Sequence, residues 1–66
     1  MTTDVLQASY KEISNLDNII AEAQAHLRVL EDYGKTDTLT LRNTLRTTIA
    51  DAEKMKGAIQ KELSSS

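Results

Sequence analysis

Apolar residues recur every seven positions through the first half of this chain. Leu6, Ile13, Ile20 and Leu27 fill one series, and Leu16, Ala23 and Leu30 fill a second, three positions on. Ser9 is the single polar residue in that second series. Two apolar positions per heptad, sustained over about four heptads, predict a helix packed along its length against another helix. From about residue 3 to 33, at about 1.5 Å per residue, it would be roughly 45 Å long. Thr2 or Thr3 can cap its start, with Asp4 in the first turn at the positive end of the dipole.

The periodic run stops at Gly34, where a helix commonly ends in a left-handed residue that only glycine adopts without strain. Thr36 and Asp37 then offer side-chain oxygens to the free N–H groups of a second helix. A stop followed so closely by a start predicts a short turn at about 34–37 and an antiparallel return. Over about 38–63 the apolar residues run Leu41, Leu45, Ile49, Ala52, Met55 or Lys56, Ile59 and Leu63, at helical spacings of three and four. The opening Thr38-Leu39-Thr40-Leu41 alternates as a strand would, but it is too short and isolated to pair, so helix is the expectation. Gly57 costs about 1 kcal/mol relative to Ala in mid-helix. Beside Ala58 it is either a site where another backbone comes close or a tolerated cost. The expected fold is all-α: one antiparallel two-helix hairpin, coiled-coil-like, completed by a partner or by self-association.

At 66 residues, with no Trp, Phe, Cys or Pro and only Tyr10 and Tyr33 as aromatics, the chain has little with which to build an independent core. Small chains without disulfides or metals gain stability by oligomerising or by docking on something larger. The formal net charge of −2 gives no electrostatic footprint for nucleic acid. The longest apolar run, Ile19-Ile20-Ala21, falls far short of the roughly 20 residues that span a bilayer. Met1-Thr2-Thr3-Asp4 lacks the character of a signal peptide. The expectation is a cytoplasmic protein with no membrane insertion. The charges sort by helix: through Tyr33 six acids face Lys11 and Arg28, and from Lys35 on six bases face four acids. Opposite signs favour the two helices lying side by side, although each exposed pair contributes well under about 1 kcal/mol.

A second apolar stripe flanks the heptad seam. Val5, Ile19 and Tyr33 share one heptad position, and Tyr10 and Val29 lie on other flanks. One partner helix covers the seam and leaves these uncovered, and the wider apolar face is that of helices in bundles of three or more. The plainer alternative is a scatter of surface apolar groups. The candidate partner-binding residues are Tyr10, Ile19, Val29, Tyr33, Leu39 and Met55.

Catalytic and metal chemistry find little to work with. His26 is the only histidine, with Glu22 one turn before it. A di-metal bundle would want Glu and His three apart and repeated on another helix, whereas here the spacing is four and occurs once. No Gly-rich phosphate loop is present. Arg42 and Arg46 share a helical face that suits an acidic partner or simply solvent. The chain is expected to be no enzyme and to carry no cofactor or metal.

Two family resemblances follow from the hairpin. The Met-Thr start, the length, the central turn, and Gly34-Lys35 and Asp37 followed by Asn43-Thr44-Leu45, Ile49, Ala52-Glu53 and Ile59 resemble the small helical-hairpin co-chaperones of type III secretion. Those proteins hold the needle subunit in the cytoplasm together with a tetratricopeptide-type chaperone. Many members carry Tyr-Gln just after the turn, where this chain has Leu41-Arg42. Gly34, Asp37-Thr38, Leu41-Arg42 and Leu45 are also similar to the junction between the first two helices of the regulatory domain of endosomal syntaxins. That likeness covers about half the chain. The first resemblance implies a co-chaperone that stabilises a secretion-system partner and prevents its premature assembly. The alternatives are a homo-oligomeric helical-bundle adaptor and the first two helices of a syntaxin-like regulatory domain.

Overall fold

The computed structural model describes residues 2–34 and 36–65. Two helices, α1 (Thr3–Tyr33) and α2 (Leu39–Ser64), are joined through one 3-10 turn at Thr36–Thr38. Helices of 31 and 26 residues are about 46 and 39 Å long at the standard rise. The molecule measures 49 × 15 × 12 Å, so the two lie side by side, and the short connection makes them antiparallel. This is the all-α hairpin that the heptads predict, and no strand occurs among the described residues.

Local chemistry explains where α1 begins and ends. Thr2 is extended (φ −76, ψ 159) and its hydroxyl accepts from the Val5 N–H at 3.3 Å, while the Leu6 N–H donates to the Thr2 carbonyl at 3.0 Å. Gly34 closes the helix in the left-handed region (φ 70, ψ 13), donating its N–H to the Leu30 carbonyl at 3.2 Å. A Cβ at Gly34 would meet nothing within 4 Å, so glycine is required there by backbone angle and not by space.

The start of α2 differs from the expected capping by Asp37. Asp37 lies inside the 3-10 turn, and Thr38 is the N-cap, with no side-chain capping bond. The Thr38 hydroxyl instead accepts from Arg42 Nε at 3.1 Å. The 3-10 turn itself accounts for the shift: bonds closing after three residues occupy N–H groups that a side-chain cap would otherwise serve. Lys35, within the expected turn, and the side chain of Thr36 lie outside the described residues. Further on, the hydroxyls of Thr44, Thr47 and Thr48 donate to the carbonyls of Thr40, Asn43 and Thr44 at 3.0, 3.1 and 3.0 Å. Bonding back to the preceding turn satisfies these hydroxyls within the helix, at a slight cost in helix stability.

The covered positions of α1 are Leu6, Ser9, Ile13, Leu16, Ile20, Ala23, Leu27 and Leu30; those of α2 are Arg42, Leu45, Ile49, Ala52, Lys56, Ile59 and Leu63, with Thr38 of the 3-10 turn in line with them. Of these, Leu16, Ala23 and Ala52 are buried and the rest half-buried. Ser9 donates its hydroxyl to the Val5 carbonyl at 2.8 Å, which explains how a polar residue sits in the seam. Leu41 is a correction: it is exposed, and Arg42 takes the seam position expected for it; of Met55 and Lys56, between which the spacing left the choice open, Lys56 lies in the seam and Met55 is exposed. The unbroken heptads of α1 require alternating steps of three and four on α2. A residue one place out of step points about 100° away. The aliphatic stems of Arg42 and Lys56 follow the seam while their charged ends reach its edge, and Lys56 Nζ pairs there with the Asp17 carboxylate.

Gly57 is exposed, and a Cβ there would meet nothing within 4 Å. It therefore serves no close approach between the two helices. Gly57→Ala is expected to stabilise the hairpin by about 0.5–1 kcal/mol, whereas Gly34→Ala, forced to a positive φ, should destabilise it by about 1–2 kcal/mol. Parallel circular dichroism melts check the pair. A lower midpoint for Gly57→Ala would contradict the open surroundings of Gly57.

Candidate functional site

The heptad register divides the outside of the hairpin into two long sides. On the first, Glu12, Leu16 and Ile19 of α1 line a shallow groove with Thr48, Asp51, Ala52 and Met55 of α2. Heptad repetition of Glu12 and Ile19 adds Val5, His26 and Tyr33 to that side, and repetition of Thr48 and Met55 adds Leu41 and Glu62. Val29, one helical turn before Tyr33, lies along the same flank. On the second side, Tyr10 and Ile13 line a depression with Gln60, Leu63 and Ser64. Leu39 repeats with Gln60 at heptad spacing and so belongs to the second side.

The six candidate partner-binding residues are all exposed. Ile19 and Met55 line one groove, with Val29 and Tyr33 further along the same side towards the turn. Tyr10 and Leu39 lie on the opposite side, near opposite ends of the hairpin, and are not brought together. Two more exposed apolar residues, Val5 and Leu41, share the first side. Leu41 was assigned to the core from its spacing alone, and only the pairing of α2 with the register of α1 places it outside. Six of the eight exposed large apolar residues therefore lie on one side: Val5, Ile19, Val29, Tyr33, Leu41 and Met55.

The surface as a whole exceeds what a compact protein exposes. The chain presents 4936 Å², against about 4,200 Å² for a compact monomer of its mass. The excess, about 700 Å², is close to the roughly 800 Å² that each partner buries in a standard interface. No large side chain among the described residues is fully buried. A two-helix ribbon has no third layer to cover its flanks, so exposed residues such as Ile19 at 43% and Val29 at 64% remain in water.

His26 and Glu22 are both exposed, and among the described residues no three His, Asp or Glu side chains converge as a metal site would need. Arg46 Nη1 donates to Asn43 Oδ1 at 3.1 Å, while Arg42 is drawn into the seam, so these two arginines do not form one outward patch. No helix among the described residues is long and apolar enough to cross a membrane. What the arrangement offers is apolar contact area. Neither a protein-family model, nor a curated protein, nor a solved structure matches the chain.

Proposed function

We propose that the hairpin is a protein–protein interaction module, a cytoplasmic co-chaperone that stabilises a secretion-system subunit and delays its assembly. The observation that carries the reading is the segregation of exposed apolar residues onto one side of a hairpin too thin to bury them. Burying a large side chain contributes about 1.5–3 kcal/mol, so four or five such anchors are of the size needed to offset the ordering cost of association. The resemblance to needle-subunit co-chaperones, carried by Gly34-Lys35, Asp37 and the Asn43-to-Ile59 residues of α2, supports the choice of partner class.

The test is co-expression of the full chain with a type III needle subunit and its tetratricopeptide-type chaperone from the same genome. The needle subunit is expected to stay soluble in a stoichiometric complex that contains the hairpin. A subunit that polymerises or precipitates equally with and without the hairpin would overturn the co-chaperone reading. Light scattering on the isolated chain addresses the homo-oligomeric alternative: a stable four-helix dimer would consume the apolar side in self-assembly.

A further inference from the structure

The charges on the apolar side say what kind of surface it receives. Among the described residues, its charged side chains are all acidic: Glu12 and Asp51 in the groove, Glu22 one turn from Ile19, and Glu62 towards the far end of α2. His26 and Tyr33 are the remaining titratable groups on that side. The described basic residues lie elsewhere. Arg42 and Lys56 are in the seam, Arg28 lines a depression with Gln24, Leu27, Glu31 and Asp32 on the opposite flank, and Arg46 shares a heptad position with Gln60 on that same side. Lys11, Lys54 and Lys61 fall on the helix backs. Although the chain is only weakly acidic overall, this side sets its exposed apolar residues among charges that are all negative.

We infer that this side docks an amphipathic helix of another protein whose apolar stripe is flanked by Lys or Arg. Two antiparallel helices with an apolar valley between them accept a third helix laid along the groove. Basic residues flanking that helix would meet Glu12, Glu22 and Asp51, so that charge fixes register and rejects wrong partners. A second copy of the chain fits poorly through this side, because symmetric pairing sets the same acids against one another. An anionic lipid surface is disfavoured by the same sign. The inference rests on the interaction-module reading and specifies its partner.

The probe is a synthetic amphipathic peptide of about 21 residues, three heptads, with Leu along one stripe and Lys on both flanks, and a twin with Glu in place of Lys. Fluorescence anisotropy against the full chain is expected to show the Lys peptide binding at least about tenfold tighter than the Glu twin at low salt, with the difference shrinking at high salt. Ile19→Asp, at an exposed site, should weaken the Lys peptide by at least about tenfold while circular dichroism stays unchanged. The triple change Glu12→Lys, Glu22→Lys and Asp51→Lys should invert the preference towards the Glu twin, with circular dichroism showing the variant still folded and a triple acid-to-lysine change away from this side, at Asp4, Glu31 and Asp32, leaving the Lys peptide preferred. Equal binding of both peptides, binding of neither, or a wild-type dimer dissolved by Ile19→Asp would overturn the inference. If wild type and the Ile19→Asp and triple variants all keep the needle subunit soluble, the docking face is wrong and the co-chaperone reading stands. If none of them does, while the peptide preferences hold, the face stands and the co-chaperone reading falls.

Discussion

Replacing Leu16 with Ala is expected to leave the isolated chain largely unfolded. Leu16 is 3% exposed, and the other two buried residues among those described, Ala23 and Ala52, are small, so among the described residues Leu16 supplies the only large buried side chain in the seam. A leucine-to-alanine change at a buried site costs about 2–5 kcal/mol, including the cavity left behind. A chain of this size rarely holds more than about 3–5 kcal/mol from its core. The loss is therefore comparable to the whole stability, and separate helices of this length are marginal in water without packing. Circular dichroism should show helix content collapsing in Leu16→Ala, while Val29→Ala, at an exposed site, keeps the wild-type spectrum and midpoint. A Leu16→Ala chain that melts like wild type would mean that the seam is not what holds the hairpin together.

The contrast between Leu16 and Val29 was legible in the sequence because α1 advertises its register. Only Ser9 interrupts the apolar series, and no other phase of a 3.5-residue repeat fits Leu6 to Leu30. The ends of α1 were legible for a different reason: a β-region threonine and a left-handed glycine act within a few residues and need no tertiary information. The register of α2 was not legible in the same way. Leu41 stands beside Arg42 and Met55 beside Lys56, and each pair admits two helical faces at spacings of three and four. Hydrophobicity favours Leu41 and Met55, while pairing with α1 selects Arg42 and Lys56, so the decision belongs to the other helix. The start of α2 was legible to within a residue, but its cap was not, because a 3-10 turn competes with side-chain capping for the same N–H groups.

The candidate site inherits that ambiguity. An apolar stripe beyond the seam could be read from Val5, Ile19 and Tyr33, which repeat at heptad spacing on one helix. Which residues of α2 extend it depends on the α2 register, so Leu41 was assigned inward, and Tyr10 and Leu39 were grouped with residues on the far side. Segregation of charge is legible only after both registers are known. Glu12 and Asp51 are far apart in sequence and become edges of one groove through the antiparallel pairing.

The two cations in the seam carry the other large expected effect. Arg42 and Lys56 hold positions that would otherwise bury leucine, and they return little in exchange. The Lys56–Asp17 pair is partly exposed, with side chains 29% and 51% accessible, so its net contribution is under about 1 kcal/mol. Arg42 adds one hydrogen bond to Thr38, of similar size. The double change Arg42→Leu and Lys56→Leu is therefore expected to raise stability by about 2 kcal/mol, or about 10 °C in melting midpoint for a domain this small. The wild-type cations also interrupt what would be a continuous apolar stripe on α2, and a charged seam position penalises alternative registers and higher oligomers. The double variant should accordingly form dimers or larger species whose population rises with concentration, read by light scattering alongside the melts. An unchanged midpoint together with a monomeric variant would mean that these side chains lie outside the seam's energetics. A higher midpoint with new association would identify them as residues that trade stability for a single hairpin pairing.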